Sequence, residues 1–173
     1  MRQSILFFDI DGTLLSDKTG KIPDSALEAL AEAKKNGHLL FINTGRTVCA
    51  LPKELYQFEF DGYLCGCGSY LLFHEEVLLE SHIEEACGQK YIEQMRECGL
   101  DGVLEGTEDL YFPKKVSRFE KLEQGRHYFG QLGLGKKKHI EEGGFLYDKI
   151  FVYADEQSEK ERFFRLMEDA FAV

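Results

Sequence analysis

Two carboxylates one residue apart, Asp9 and Asp11, stand directly behind the apolar run Ile5-Leu6-Phe7-Phe8 and ahead of Gly12-Thr13. Such a pair has three physical uses. It can bind a hard cation through oxygen ligands. One member can be a nucleophile while the other serves as general acid and base. Or the pair can be structural and cap the turn that follows. A short continuous apolar run reads as a buried parallel strand, so both carboxylates belong at its C-terminal end, where open α/β sheets hold their ligands. Residues two apart in an extended chain point the same way. Gly12 nevertheless predicts that the chain leaves the strand near Asp11, giving the second carboxylate its own position.

The elements that must position these residues follow in order. The first strand is expected over Ser4–Asp9 and a polar turn over Ser16–Lys21. A helix then runs from an Asp24 or Ser25 cap to about Asn36, with Ala26, Leu27, Leu30, Ala31 and Ala33 on one face and Gly37 as C-cap. His38–Asn43 reads as a second buried strand, followed at once by Thr44-Gly45-Arg46. This βαβ unit ends both strands in polar, glycine-containing loops that can lie side by side at one edge of a sheet.

Beyond it, a short helix is expected over Thr47–Leu55, a strand over Gly62–Cys65, and a hairpin joining Tyr70–Phe73 to Val77–Leu79 through the three-residue turn His74-Glu75-Glu76. The pattern changes after Glu80. Ile83, Cys87, Tyr91, Met95 and Cys98 share a helix face closed by Gly99. A strand pair (Gly102–Glu105 and Asp109–Phe112), a helix within Ser117–Leu132 and a strand within Phe145–Ala154 come next. Ser158 can cap a last helix that aligns Phe163, Met167, Ala170 and Phe171. This predicts two modules, residues 1–80 and 81–173, the second with the order α-β-β-α-β-α.

Composition narrows the class. With 43% hydrophobic and 30% charged residues over 173 positions, the chain is globular and can bury a core without disulfides or a structural metal. Its net charge of -10 argues against nucleic-acid and anionic-membrane surfaces. It leaves room for a phosphorylated substrate, since a metal ion or a few local cations can dominate a small site. Five cysteines, an odd number with no leader before them, fit a reducing cytoplasm. Cys65-Gly66-Cys67 lacks a second pair at ligand spacing and reads as thiols, not zinc ligands. The run at the N-terminus is too short for a membrane span.

Asp9-Ile10-Asp11-Gly12-Thr13-Leu14 resembles the first motif of the haloacid dehalogenase-like (HAD) phosphatase superfamily. Phe41-Ile42-Asn43-Thr44-Gly45-Arg46 resembles its second motif, an apolar strand ending in Ser or Thr. The Thr-Gly-Arg form, with an α/β insert after it, resembles the Cof-type hydrolases that carry a type IIB cap. The resemblance implies an α/β fold, with the N-terminal half of a Rossmann-like core over residues 1–80 and an α+β cap, incomplete at its C-terminus, over 81–173. It implies that Asp9 is the nucleophile that forms an aspartyl-phosphate and that Asp11 is the general acid and base. Mg2+ would be held by the Asp9 side chain and the Asp11 carbonyl. Thr44 would donate its hydroxyl to the phosphoryl group, with the Gly45 amide beside it and Arg46 positioning substrate or pairing structurally. The partner implied is a small phosphorylated metabolite such as a sugar phosphate.

The departures from the family pattern are as informative. Its third-motif lysine and its acidic Gly-Asp-type fourth motif follow the cap, and no Gly-Asp dipeptide occurs here. The lysines at 114, 115, 136, 137, 138 and 149 fall within the expected cap. The expectation is therefore an incomplete molecule, inactive by itself as 173 residues. The alternative is a non-catalytic binding or interaction protein on the same fold. Cys67-Gly68 stands where relatives often carry Asn-Gly. Asp17-Lys18-Thr19-Gly20 resembles the P-type ATPase phosphorylation motif, but Lys21 breaks it and no strand leads in, so it reads as a polar turn. Lys136-Lys137-Lys138-His139 reads as a solvated basic loop before it reads as a patch that steers anions.

Overall fold

The computed structural model describes residues 2–168. The chain divides after Ser81 into two compact units.

The first unit is a five-stranded sheet of order β1-β2-β3-β4-β5, built from Ile5–Phe8, Leu39–Asn43, Gly62–Cys65, Tyr70–Phe73 and Glu76–Glu80. β1, β2 and β3 are parallel, and β4 and β5 return antiparallel. Helix α1, Asp24–Lys35, links β1 to β2. Its Ala26, Leu27, Leu30 and Ala33 pack with Leu40 and Ile42 of β2, so one sheet face is a core. Ala31 lies outside that face and is exposed. Pro23, not Asp24 or Ser25, occupies the N-cap, and no side chain caps the helix. Proline suits a helix start because its missing N–H is one the helix leaves unpaired there anyway.

Three further expectations need correction. β1 is parallel, but it is the sheet's edge, and Ile5 and Phe7 are each 54% exposed. Only its other side-chain row, Leu6 and Phe8, packs against the core. The expected helix over Thr47–Leu55 is instead two 3-10 turns, Val48–Ala50 and Lys53–Gln57. Leu51 precedes Pro52 and is extended (φ -64°, ψ 132°), as the proline ring requires. The hairpin turn is His74-Glu75, because Glu76 already pairs with Phe73.

The second unit has a three-stranded antiparallel sheet of order β7-β6-β8: Leu110–Tyr111, Asp101–Glu105 and Lys149–Tyr153. Helices α2 (Glu85–Glu97) and α4 (Lys160–Glu168) bury Tyr91, Met95, Phe163 and Met167 against Ile150 and Val152. Helix α3 is Glu120–Gln131. Tyr111, Phe112 and Tyr147 are buried, as core aromatics rather than a surface platform. The Ser158 hydroxyl donates to Gly99 O (2.9 Å) and accepts from the Asp155 amide (3.1 Å), tying the loop before α4 to the end of α2. Ala170 and Phe171 lie outside the described residues.

Candidate active site

Parallel pairing places the ends of β1 and β2 at the same edge, because Phe8 is in register with Ile42. Everything the sequence singled out as chemistry follows those two residues. After Phe8 the chain leaves the strand. Gly12 at φ +72° lets it fold back, and the amides of Thr13 and Leu15 donate to Ile10 O (3.3 and 2.9 Å). Leu14 N–H donates to Asp9 O at 3.3 Å. This turn buries Ile10 and Leu14 beneath it and leaves both carboxylates exposed. The aliphatic side chains anchor the loop so that the acids can face outward.

The second loop meets the first through Arg46. Its Nε donates to Asp11 Oδ2 (2.9 Å) and its Nη2 to Asp11 Oδ1 (2.8 Å), a two-toothed fork. Nη1 is fixed on Ala50 O at 3.1 Å, in the first 3-10 turn. A planar guanidinium matches a carboxylate in this way, where a lysine would offer only a point charge. The Arg46 hydrogen bonds and charge hold the Asp11 carboxyl below its ordinary value, against the opposing effect of partial burial.

Thr44 is buried at 5% exposure, and its Oγ1 accepts the Arg46 backbone N–H at 3.1 Å. One lone pair of the hydroxyl oxygen is therefore engaged while its proton remains available to an acceptor. Gly45 is exposed, and the Cys67 thiol lies 3.4 Å from where a β-carbon would stand on it. Cys67 has a left-handed backbone (φ 59°), a conformation that asparagine and glycine adopt with less strain. In the sequence Cys67 stands out only as a departure from Asn-Gly. The backbone conformation that Asn-Gly favours was the signal that could have placed it beside Gly45. The Ala50 anchor carried no sequence signal.

The structure thus brings Asp9, Asp11, Thr44, Gly45 and Arg46 to one sheet edge. The donors there are all oxygens, the type Mg2+ takes. Among the described residues, no group of three or more His, Cys, Asp or Glu side chains is placed to hold a metal ion. The site therefore fits Mg2+ in donor chemistry and supplies only part of a coordination shell.

The Escherichia coli pyridoxal phosphate phosphatase YbhA is 36% identical over 107 residues, 60% of this chain and 39% of that protein. YkrA of Bacillus subtilis is 28% identical over 97 residues, 56% of this chain and 37% of that one. The chain thus spans about two-fifths of the length of these curated relatives. Among solved structures, the HAD subclass IIB sugar phosphatase BT4131 superposes with a TM-score of 0.72 at 25% identity, covering 93% of this chain and 62% of that one. The profile of the haloacid dehalogenase-like hydrolase family matches residues 6–172, nearly the whole sequence, and the chain belongs to that family.

Proposed function

We propose that this chain carries the nucleophile half of a Mg2+-dependent phosphohydrolase acting on a small phosphorylated metabolite. The observation that carries the reading is the Arg46–Asp11 fork, which joins the carboxylate loop to the Thr44 loop at the end of two parallel strands. In this reading Asp9 attacks phosphorus and becomes an aspartyl-phosphate. Asp11 gives a proton to the leaving oxygen and then takes one from the water that hydrolyses the aspartyl-phosphate, releasing phosphate and regenerating the Asp9 carboxylate. The Thr44 hydroxyl and the Gly45 amide donate to the phosphoryl oxygens, where electrostatic stabilisation is the main task.

Two anions must approach each other in the first step. Unit charges at ~4 Å repel by about 4 kcal/mol at an effective dielectric near 20. Mg2+, when bound, would offset this repulsion, and Asp9 Oδ and the Asp11 carbonyl are the atoms that would hold it. The Arg46 fork favours the ionised form of Asp11, so in this reading it loosens when Asp11 carries a proton. Residues 1–80 are assigned to the partial core and 81–173 to the cap, the latter reading the leaving group and excluding water. The names of YbhA and BT4131 make pyridoxal phosphate and sugar phosphates the first substrates to try.

The test is turnover of such esters by the protein that contains this chain, with Mg2+ and with Asp9→Asn. Loss of roughly 10⁴-fold or more is expected for a deleted nucleophile. Unchanged turnover would overturn the assignment. The 173 residues alone, without a third-motif lysine or a second acidic loop, are expected to show no turnover. Turnover by them would overturn that part of the proposal.

A further inference from the structure

The basic run Lys136-Lys137-Lys138-His139 plays no part in the site above, and in the second unit it borders a groove of about 610 Å³. That volume lies within the range of small-ligand pockets. One wall is a single face of α3, where Arg126, His127, Gly130 and Gln131 recur at helical spacing; the other is the loop carrying Gly135, Lys136 and His139.

Both walls are fixed. The buried Asp109 carboxylate accepts the Gly135 amide at 2.7 Å and the Leu110 amide at 2.8 Å, pinning the loop to β7. Gly135 has φ +69°, and a β-carbon there would come within 2.7 Å of the Phe112 ring, so only glycine lets the loop seat so deeply. Arg126 stacks over the same ring at 5.2 Å and donates to Pro113 O at 2.7 Å. Its charge is met by Glu123, at 2.9 and 3.1 Å, and Glu123 also accepts the Ser117 amide. The one carboxylate lining the groove is therefore fully occupied.

Lys136 is different. Its Cε passes 3.5 Å from where a β-carbon would stand on Gly130, so the missing side chain gives its stem a path over α3. Its ammonium is exposed and has no hydrogen bond or ion pair among the described residues. His127, bonded to Gln131 at 2.9 Å, and His139 supply further polar nitrogens. An uncompensated cation, two imidazoles and a neutralised carboxylate on rigid walls make a cradle for negative charge. The chain's net charge of -10 does not cancel it, since fields beyond ~8 Å are screened at physiological ionic strength.

We propose that this groove binds a small multiply charged anion: inorganic phosphate or the phosphoryl group of an organic ester. The site uses none of the residues assigned to hydrolysis, so the two readings stand or fall separately.

The test is an NMR titration of the full 173-residue chain at constant ionic strength, following the imidazole signals of His127 and His139 and the Gly135 amide. Inorganic phosphate and glycerol phosphate are the two probes. Saturable shifts at these three residues are expected, weakened roughly tenfold or more by Lys136→Gln, the loss of one charge-assisted contact. Lys137→Gln, outside the lining, should leave them unchanged. Tighter binding of glycerol phosphate would identify an ester as the ligand, and equal binding the inorganic ion. Shifts that fail to saturate, that chloride reproduces, or that Lys137→Gln weakens as much as Lys136→Gln would overturn the proposal. The amide spectrum of each variant verifies the fold, which an exposed lysine is not expected to disturb.

Discussion

At the scale of single residues, the Arg46–Asp11 pair sets the electrostatics of the strand-end site. The Asp11 carboxyl is depressed by the Arg46 fork. A depressed carboxylate contributes stability above its unfolded value of about 3.9 and loses it as pH falls through the folded one. Arg46→Ala should therefore lower unfolding stability at neutral pH. The expected size is about 1 kcal/mol or less for the ion pair, because the Asp11 side chain is 57% exposed. The gap between variant and parent should then close below roughly pH 4. Urea unfolding at a series of pH values measures it. A gap that persists into acid would assign the cost to the bond with Ala50 O, which does not titrate. The positions of Asp9, Asp11, Thr44 and Gly45 were legible in the sequence because all four lie in the short loops that follow the apolar runs of β1 and β2. The partner of Arg46 was not, since it lies 35 residues away and only the β1–β2 register brings it near.

At the scale of elements, legibility follows how much of the physics is local. Helix α1 announces itself through its apolar spacing, and the order α-β-β-α-β-α of the second unit through alternating periodicities. The stretch after Arg46 does not, because the helical pattern of its residues conflicts with Pro52 and the proline prevails. The exposure of β1 was hidden for another reason: an apolar run states what a strand prefers, while its neighbours decide what is covered. Gly62 shows the same limit. It lies in register between Phe41 and Phe73, whose rings stack at 5.7 Å across the gap it leaves. A β-carbon there would collide with the Phe41 ring and lie 2.6 Å from Leu72 O. Gly62→Ala should cost roughly 1–3 kcal/mol by overpacking, even though alanine ordinarily favours a strand more than glycine does. Chemical denaturation checks this, and an unchanged or raised midpoint would mean that Phe41 can move aside.

At the scale of the whole molecule, charge and exposed apolar surface oppose each other. The first unit has two edge strands with different protection. β5 begins and ends with Glu76 and Glu80, and like charges facing each other resist pairing with a second copy. β1 has no charged residue from Gln3 to Phe8, and no strand pairs with its outer edge among the described residues. Natural edges are usually blunted by lysine, proline or a bulge, and none is present in β1. Ile5 and Phe7 also stand half-exposed on its uncovered face. A net charge of -10 keeps copies apart at low ionic strength, but salt screens that repulsion and leaves the apolar term intact. The 173-residue chain should therefore associate as salt is raised, and Phe7→Lys should keep it monomeric under the same conditions. Sedimentation velocity distinguishes the outcomes. Association that weakens with salt, or that Phe7→Lys leaves untouched, would place the contact elsewhere on the surface. Phe7 is 54% exposed and lies on the opposite strand face from the core residues Leu6 and Phe8, so a lysine there can reach solvent, giving up the ring contact with Phe41 (5.5 Å between centroids) but leaving that core in place.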